Sequence, residues 1–179
     1  DAFFAAIAAA GGTAGATHLF NAMGGLEGRA PGTAGAVLAS TDAYAELICD
    51  GHHVARAAAM TALRAKGRRL LLITDAIRAA ATDARDTTLG GQPVRIEGGA
   101  ARLADGTLAG SVLTMDRAVA TLIGFGATWP QAAYAAATAP ARYLGLDDRG
   151  ALRPGLRADL VVLDPDGTVR EVLRAGRTV

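Results

Sequence analysis

The chain has 179 residues, 51% of them hydrophobic and 20% charged, which suits one packed domain and excludes a disordered tail. Net charge is +1, and the arginines are scattered without aromatic interleaving, so neither a nucleic-acid surface nor a polybasic membrane contact is expected. The single cysteine, Cys49, excludes an internal disulfide and fits a reducing compartment. No apolar run approaches the ~18 residues of a membrane span, and no basic segment followed by an apolar core opens the chain, so the expected location is cytoplasmic.

Aromatics are only 4%, and much of the apolar content is alanine, a composition suited to closely packed helices. In chain order, Asp1 is placed to cap a helix over 2–10 that stops at Gly11-Gly12. Thr17-His18-Leu19-Phe20 reads as a short strand running into Asn21-Ala22-Met23. The loop that follows, Gly24 to Gly32, holds four glycines and Pro31, so its backbone can approach a ligand closely. Residues 33–40 fit a helix or a strand equally. Ala45 to Cys49 reads as a strand leading into Asp50-Gly51-His52-His53. Arg56 to Lys66 is a helix closed by Gly67, with basic residues in its last turn.

Leu70-Leu71-Leu72-Ile73 reads as a strand buried on both faces, ending abruptly at Thr74-Asp75. Asp75 is either the N-cap of a helix over 77–81 or a reactive carboxylate just past a strand end. Residues 89–96 and 101–103 suggest a hairpin turning at Glu97-Gly98-Gly99. Helices are expected from Met115 to Phe125 and from Thr128, where Thr128 and Gln131 have capping-box spacing. Two strands around Pro165-Asp166-Gly167 close the chain. Strand–helix alternation with parallel crossovers defines an α/β sheet or barrel.

The three histidines, His18, His52 and His53, lie at or near predicted strand ends, as Asp75 does. Strand ends of a parallel barrel converge on one face. Side chains of successive strand residues point oppositely, so His52 and His53 cannot both enter one site from extended backbone. His18, one of that pair and Asp75 could supply all or part of the three ligands of a catalytic zinc. Cys49 is expected to be a small core residue, and Trp129 and Met115 to be packing residues. Arg29 is either an anion contact or a solvated charge.

Several stretches together resemble the N-acetylglucosamine-6-phosphate deacetylases of the amidohydrolase superfamily. They are Thr-His-Leu-Phe-Asn-Ala-Met at 17–23, Gly28-Arg29-x-Pro31-Gly32, Glu-Leu-Ile-Cys-Asp-Gly-His-His-Val at 46–54 and Ile-Thr-Asp-Ala at 73–76. Leu-Ala-Gly-Ser-Val-Leu-Thr-Met at 108–115, Ala-Pro-Ala-Arg-Tyr-Leu-Gly-Leu at 139–146 and Pro-Gly-Leu-Arg-Ala-Asp-Leu-Val-Val-Leu-Asp at 154–164 complete the series. The resemblance implies that His18 ligates a divalent metal, zinc in the first instance with Fe, Mn or Co as alternatives, and that Asp75 is the catalytic acid/base. It implies sugar-phosphate contacts from Asn21, Ala22 and Arg29, and further substrate contacts from Asp50, Gly51, His52 and His53. Of these, His53 matches the family histidine and His52 a variable position. Leu108, Ala109 and Gly110 would reach the substrate from a later loop.

The family's early His-x-His-Gly, its metal-binding Glu and its Gly-His-Ser are not in the chain. The expected architecture is therefore the C-terminal part of a (β/α)8 TIM-like barrel, about strands six to eight, over residues 1–145, with an inserted hairpin near 89–103. Residues 146–179 would be the closing strands of a small β-sandwich domain. The expected reaction is metal-dependent hydrolysis of N-acetylglucosamine 6-phosphate to glucosamine 6-phosphate and acetate by a homodimer, the isolated chain being inactive. Another amidohydrolase activity, on a different N-acetyl amino sugar or a cyclic amide, and a non-catalytic truncated remnant are the alternatives.

Overall fold

The structure is a computed structural model that describes residues 2–179. Helix α1 (Ala2–Ala9) comes first; the expected Asp1 cap lies outside the described residues. The centre is a three-stranded parallel sheet of β1 (Gly15–Ala16), β2 (Tyr44–Ile48) and β3 (Leu70–Ile73), in that spatial order. Helix α2 (Gly32–Ala39) connects β1 to β2, and α3 (Arg56–Lys66) connects β2 to β3.

Leu47, Leu70 and Leu72 are at most 1% exposed, because helices cover the sheet. Burying a leucine fully contributes about 2 kcal/mol. Buried alanines (Ala59 and Ala62 of α3, Ala132 and Ala135 further on) pack against the same core, which is how so alanine-rich a chain brings its helices close to the sheet.

Helix α3 has the expected bounds and ends at Gly67, whose φ of 51° suits a residue without Cβ. Its last-turn Lys66 is not a solvated charge. Lys66 is 6% exposed, and its Nζ donates to the carbonyls of Val37 (2.8 Å) and Ser40 (2.6 Å), tying α3 to the C-terminal end of α2.

Three local expectations are corrected. Thr17 to Phe20 is a turn, not a strand: His18 and Phe20 have φ of 39° and 76°, incompatible with extended backbone. The segment stays beside β2 because the Leu19 N–H donates to the Glu46 carbonyl (2.7 Å). No helix follows Asp75. Residues 77–82 form turns closed by Ala80 N–H to Ile77 O and Thr82 N–H to Ala79 O, while the Ile77 N–H is taken by Ser111 O (2.8 Å). Asp75 itself has φ of 49°, whereas an N-cap residue takes extended backbone.

The hairpin near 89–103 is part of a larger unit, an antiparallel sheet of β4 (Asp86–Leu89), β5 (Gln92–Glu97), β6 (Ala100–Arg102) and β7 (Leu108–Ser111). This sheet has its own small core of Ile77, Ala79, Val94, Ala101 and Ala109.

Helix α4 (Met115–Gly124) and α5 (Trp129–Ala133) follow, the latter with its Thr128–Gln131 capping box formed. A π-helical turn (Tyr134–Thr138) leads into α6 (Ala139–Tyr143). The antiparallel strands β8 (Leu160–Leu163), β9 (Val169–Arg174) and β10 (Arg177–Thr178) close the chain.

Candidate active site

Parallel pairing puts the carboxyl ends of β1, β2 and β3 on one edge of the sheet. Ile48 pairs with Ile73, so Asp50 and Asp75 each stand two residues past a paired position on neighbouring strands. His18 stands two residues past the last residue of β1. The polar residues singled out from sequence therefore share one edge, although His18 reaches it on a turn and not on a strand.

Around His18, left-handed backbone recurs at every second position: His18 (φ 39°), Phe20 (76°) and Ala22 (55°). Such residues cost about 1–2 kcal/mol each and persist only where surrounding contacts hold them. Here Asn21 supplies the contacts. Its Nδ2 donates to the carbonyls of His18 and Leu19, both at 3.3 Å, and its N–H donates to the His18 carbonyl at 2.9 Å. The His18 Nδ1–H donates to the Asn21 carbonyl (3.2 Å), because that oxygen can only accept. The neutral ring consequently carries its lone pair on Nε2, the nitrogen left free to act as a ligand.

Past β2, the carboxylate of Asp50 organises the whole loop. Its Oδ1 accepts from the N–H groups of His52 (2.8 Å) and His53 (2.9 Å), and its Oδ2 from the His53 Nδ1–H (2.6 Å). Both side chains of the pair are 5% exposed. Burial pushes the Asp50 carboxyl up, but the His53 ring and the two backbone donors outweigh it and hold it below the usual carboxylate range. Asp50 is thus occupied inward, while His53 keeps Nε2 free. His52 is exposed and leans on the β5–β6 turn, where a Cβ added to Gly99 would lie 3.4 Å from its Nε2. The two neighbouring histidines therefore have different surroundings, set by the bends over 51–54 and not by strand alternation.

Asp75 is exposed, and its side chain has no hydrogen bond or ion pair among the described residues. What holds it is backbone. The end of β7 lies parallel to the Thr74–Ile77 turn through a bridge between Ser111 and Ala76. Leu108 and Gly110 are half-buried and Ala109 buried; Gly110 comes closest, since a Cβ there would meet Ile77 Cγ2 at 2.7 Å and the Asp75 carbonyl oxygen at 3.1 Å. Ser111, not among the residues expected from sequence, is hydrogen-bonded to Thr74, Asp75 and Ile77 of this turn. A small residue, glycine and serine in succession beside a strand-end carboxylate was the available signal.

Arg29 is exposed in the glycine-rich loop with no partner among the described residues. No three His, Cys, Asp or Glu side chains among the described residues are grouped so as to hold a metal ion. Cys49 is fully buried, and burial, with the Asp50 charge beside it, pushes its thiol up to about 12, so it is a core residue. A cavity of about 880 Å³ lies elsewhere, between α4–α6 and the β8–β9 hairpin. Its lining of Met115, Trp129, Tyr134, Val161 and Val169 is apolar and offers no chemistry related to the strand ends. No described helix is long and apolar enough to cross a membrane.

The chain is α/β, with strand-end His, Asp-His and Asp on one edge of its parallel sheet. Residues 2–179 match the amidohydrolase family, and the chain belongs to it. Its relatives are amino-sugar-phosphate deacetylases. It is 42% identical over 168 residues to the N-acetylgalactosamine-6-phosphate deacetylase of an Escherichia coli strain, covering 93% of this chain and 45% of that protein. It is 40% identical over 162 residues to the N-acetylglucosamine-6-phosphate deacetylase of Bacillus subtilis, covering 89% and 41%.

The structure superposes on the Thermotoga maritima N-acetylglucosamine-6-phosphate deacetylase with a TM-score of 0.86 at 38% identity, over 92% of this chain and 46% of the other. On a Mycobacterium smegmatis deacetylase variant in complex with N-acetyl-D-glucosamine-6-phosphate the values are 0.87, 39%, 97% and 47%. The chain thus spans about half the length of these proteins. A shorter relative, from Escherichia coli K12, is 42% identical over 162 residues and is covered over 97% of its length.

Proposed function

We propose that the polypeptide carrying these residues hydrolyses the acetamide of an N-acetylhexosamine 6-phosphate, N-acetylglucosamine 6-phosphate in the first instance, releasing acetate and the amino-sugar phosphate. The observation that carries this reading is the shared strand edge of His18, Asp50–His53 and Asp75 in a chain of the amidohydrolase family. In this reading residues 1–145 are about strands six to eight of the barrel, and residues 146–179 belong to a small β-domain. The working enzyme is a cytoplasmic homodimer.

His18 suits a metal by its tautomer, with Nε2 free and Nδ1 held by a carbonyl. It is one ligand of the about three that a catalytic zinc takes. A divalent ion held there would supply Lewis-acid polarisation of the acetamide carbonyl and a bound water of pKa about 7. Asp75, exposed and without a side-chain partner among the described residues, would accept the proton of the attacking water and return it to the departing amine nitrogen. His53 offers Nε2 to the substrate from a ring fixed by Asp50.

The left-handed backbone at His18, Phe20 and Ala22 shapes this turn, in which the Leu19 and Asn21 N–H groups are already taken by the Glu46 and His18 carbonyls. Asn21 and Ala22 would meet the sugar phosphate there. Arg29, exposed and free, would add a cationic contact.

The test is acetate release by the complete protein with Asp75→Asn. Turnover should fall by about 10²–10⁴-fold with metal content unchanged. A variant within a fewfold of wild type would refute the role of Asp75. The 42% identity to an N-acetylgalactosamine-6-phosphate deacetylase favours a second reading, the 4-epimer as substrate. The ratio of kcat/KM for the two sugar phosphates decides between them, and the unphosphorylated sugars report on Arg29.

A further inference from the structure

We propose that Ser111 is the positioning residue for Asp75: it clamps both peptide planes flanking the carboxylate and so sets the direction in which the side chain points. The inference rests on the catalytic role given to Asp75 above, although the clamp can be measured without it.

For an exposed side chain with no hydrogen-bond partner, the backbone alone sets the direction of the Cα–Cβ bond and with it the space that its rotamers reach. Asp75 sits at φ 49°, a conformation that an L-residue leaves unless something holds it. Rotation about φ of Asp75 swings the Thr74–Asp75 peptide, and rotation about ψ swings the Asp75–Ala76 peptide. Ser111 holds one group on each. Its hydroxyl donates to the Thr74 carbonyl, and its N–H donates to the Asp75 carbonyl at 2.9 Å. Its own carbonyl accepts from the Ile77 N–H at 2.8 Å, so the far end of the turn is fixed as well.

The serine is in turn locked, because its Oγ accepts from the Leu113 N–H at 3.0 Å and the residue is 1% exposed. With its proton committed to Thr74 and no solvent access, the hydroxyl is no nucleophile. Gly110 makes the approach feasible: at φ 66° and without a Cβ, it lets β7 reach the Asp75 carbonyl.

Alanine at 111 keeps the backbone bridge but frees the Thr74 carbonyl, and with it φ of Asp75. In the complete enzyme Ser111→Ala should therefore lower kcat about 10²-fold, the usual effect of an ångström-scale misplacement, while KM for the sugar phosphate stays within about twofold. Rates are taken per folded, metal-loaded molecule, so a merely structural loss of protein drops out. Ser111→Cys, close in volume and only a weak donor, serves as the second variant should the alanine protein be too unstable to purify.

Gly110→Ala, which keeps the hydroxyl but crowds the Asp75 carbonyl, should likewise lower kcat. Amide hydrogen exchange at Ile77 and at position 111, each taken against its intrinsic rate, should rise about fivefold in Ser111→Ala relative to amides of β3, as expected for losing one hydrogen bond. The proposal is overturned if Ser111→Ala keeps kcat within twofold of wild type, or if kcat and KM change together, or if exchange at both amides is unchanged. Should Asp75→Asn prove active while exchange at Ile77 and Ser111 still rises, the role of Asp75 fails and the clamp stands.

Discussion

Asp50→Ala tests how the β2 loop is built. The carboxylate is 5% exposed and accepts three hydrogen bonds, from the His53 ring at 2.6 Å and from two backbone N–H groups at 2.8 and 2.9 Å. Removing it leaves those three donors without their acceptor, at about 1–3 kcal/mol for each that stays buried and unsatisfied. Asp50→Asn retains an oxygen for the two backbone donors and loses only the bond to the ring, so about 1–2 kcal/mol is expected. Urea denaturation at pH 7, followed by circular dichroism and by the fluorescence of Trp129, gives both values.

The pH dependence has a definite sign. The hydrogen bonds hold the folded-state pKa of Asp50 below its unfolded value despite burial. Its contribution is therefore full above about pH 4, the unfolded value, and is lost as pH falls through the folded one. The stability gap between wild type and Asp50→Asn should hold down to about pH 4 and narrow below it. A loss under 0.5 kcal/mol for Asp50→Ala, or a gap that widens in acid, would refute this account of the loop.

Two further outcomes concern stability away from the site. Ala175 (φ 51°) and Gly176 (φ 76°) form the two-residue turn between β9 and β10, a geometry that favours Asn-Gly. Ala175→Asn should raise stability by about 0.5–1 kcal/mol, measured as a shift in urea midpoint at unchanged slope. Lys66→Met removes the two bonds to Val37 O and Ser40 O. It should lower stability by about 1–2 kcal/mol, with hydrogen exchange accelerating first at the C-terminal end of α2.

The elements read most accurately were those decided locally. Helix α3 has its expected bounds because Gly67 stops it, and β3 because four apolar residues in a row fit only a strand covered on both sides. The Thr128 capping box formed as spaced, since its hydrogen bonds lie within one turn. The failures have a common cause. His18, Phe20, Ala22 and Asp75 hold left-handed backbone that no propensity of those residue types predicts; local bonds from Asn21 and distant partners together stabilise it. Leu19 is held by Glu46 in β2, and Asp75 by Ser111, 36 residues further along the chain. The hairpin near 89–103 was legible as β structure, but the flanking strands β4 and β7, which extend it to four, were not.

The sequence by itself determined the α/β alternation, the residues at the strand ends and the likeness to amidohydrolases, because hydrophobic period, glycine stops and motif order are properties of the chain. Only the tertiary structure decided that Asp50 faces inward onto His53, that His18 bonds Asn21 through Nδ1, and that Asp75 is held from behind by the end of β7. Those three outcomes are hydrogen bonds whose partners come from turns and from separate strands. Their directions do not exist until the backbone has closed.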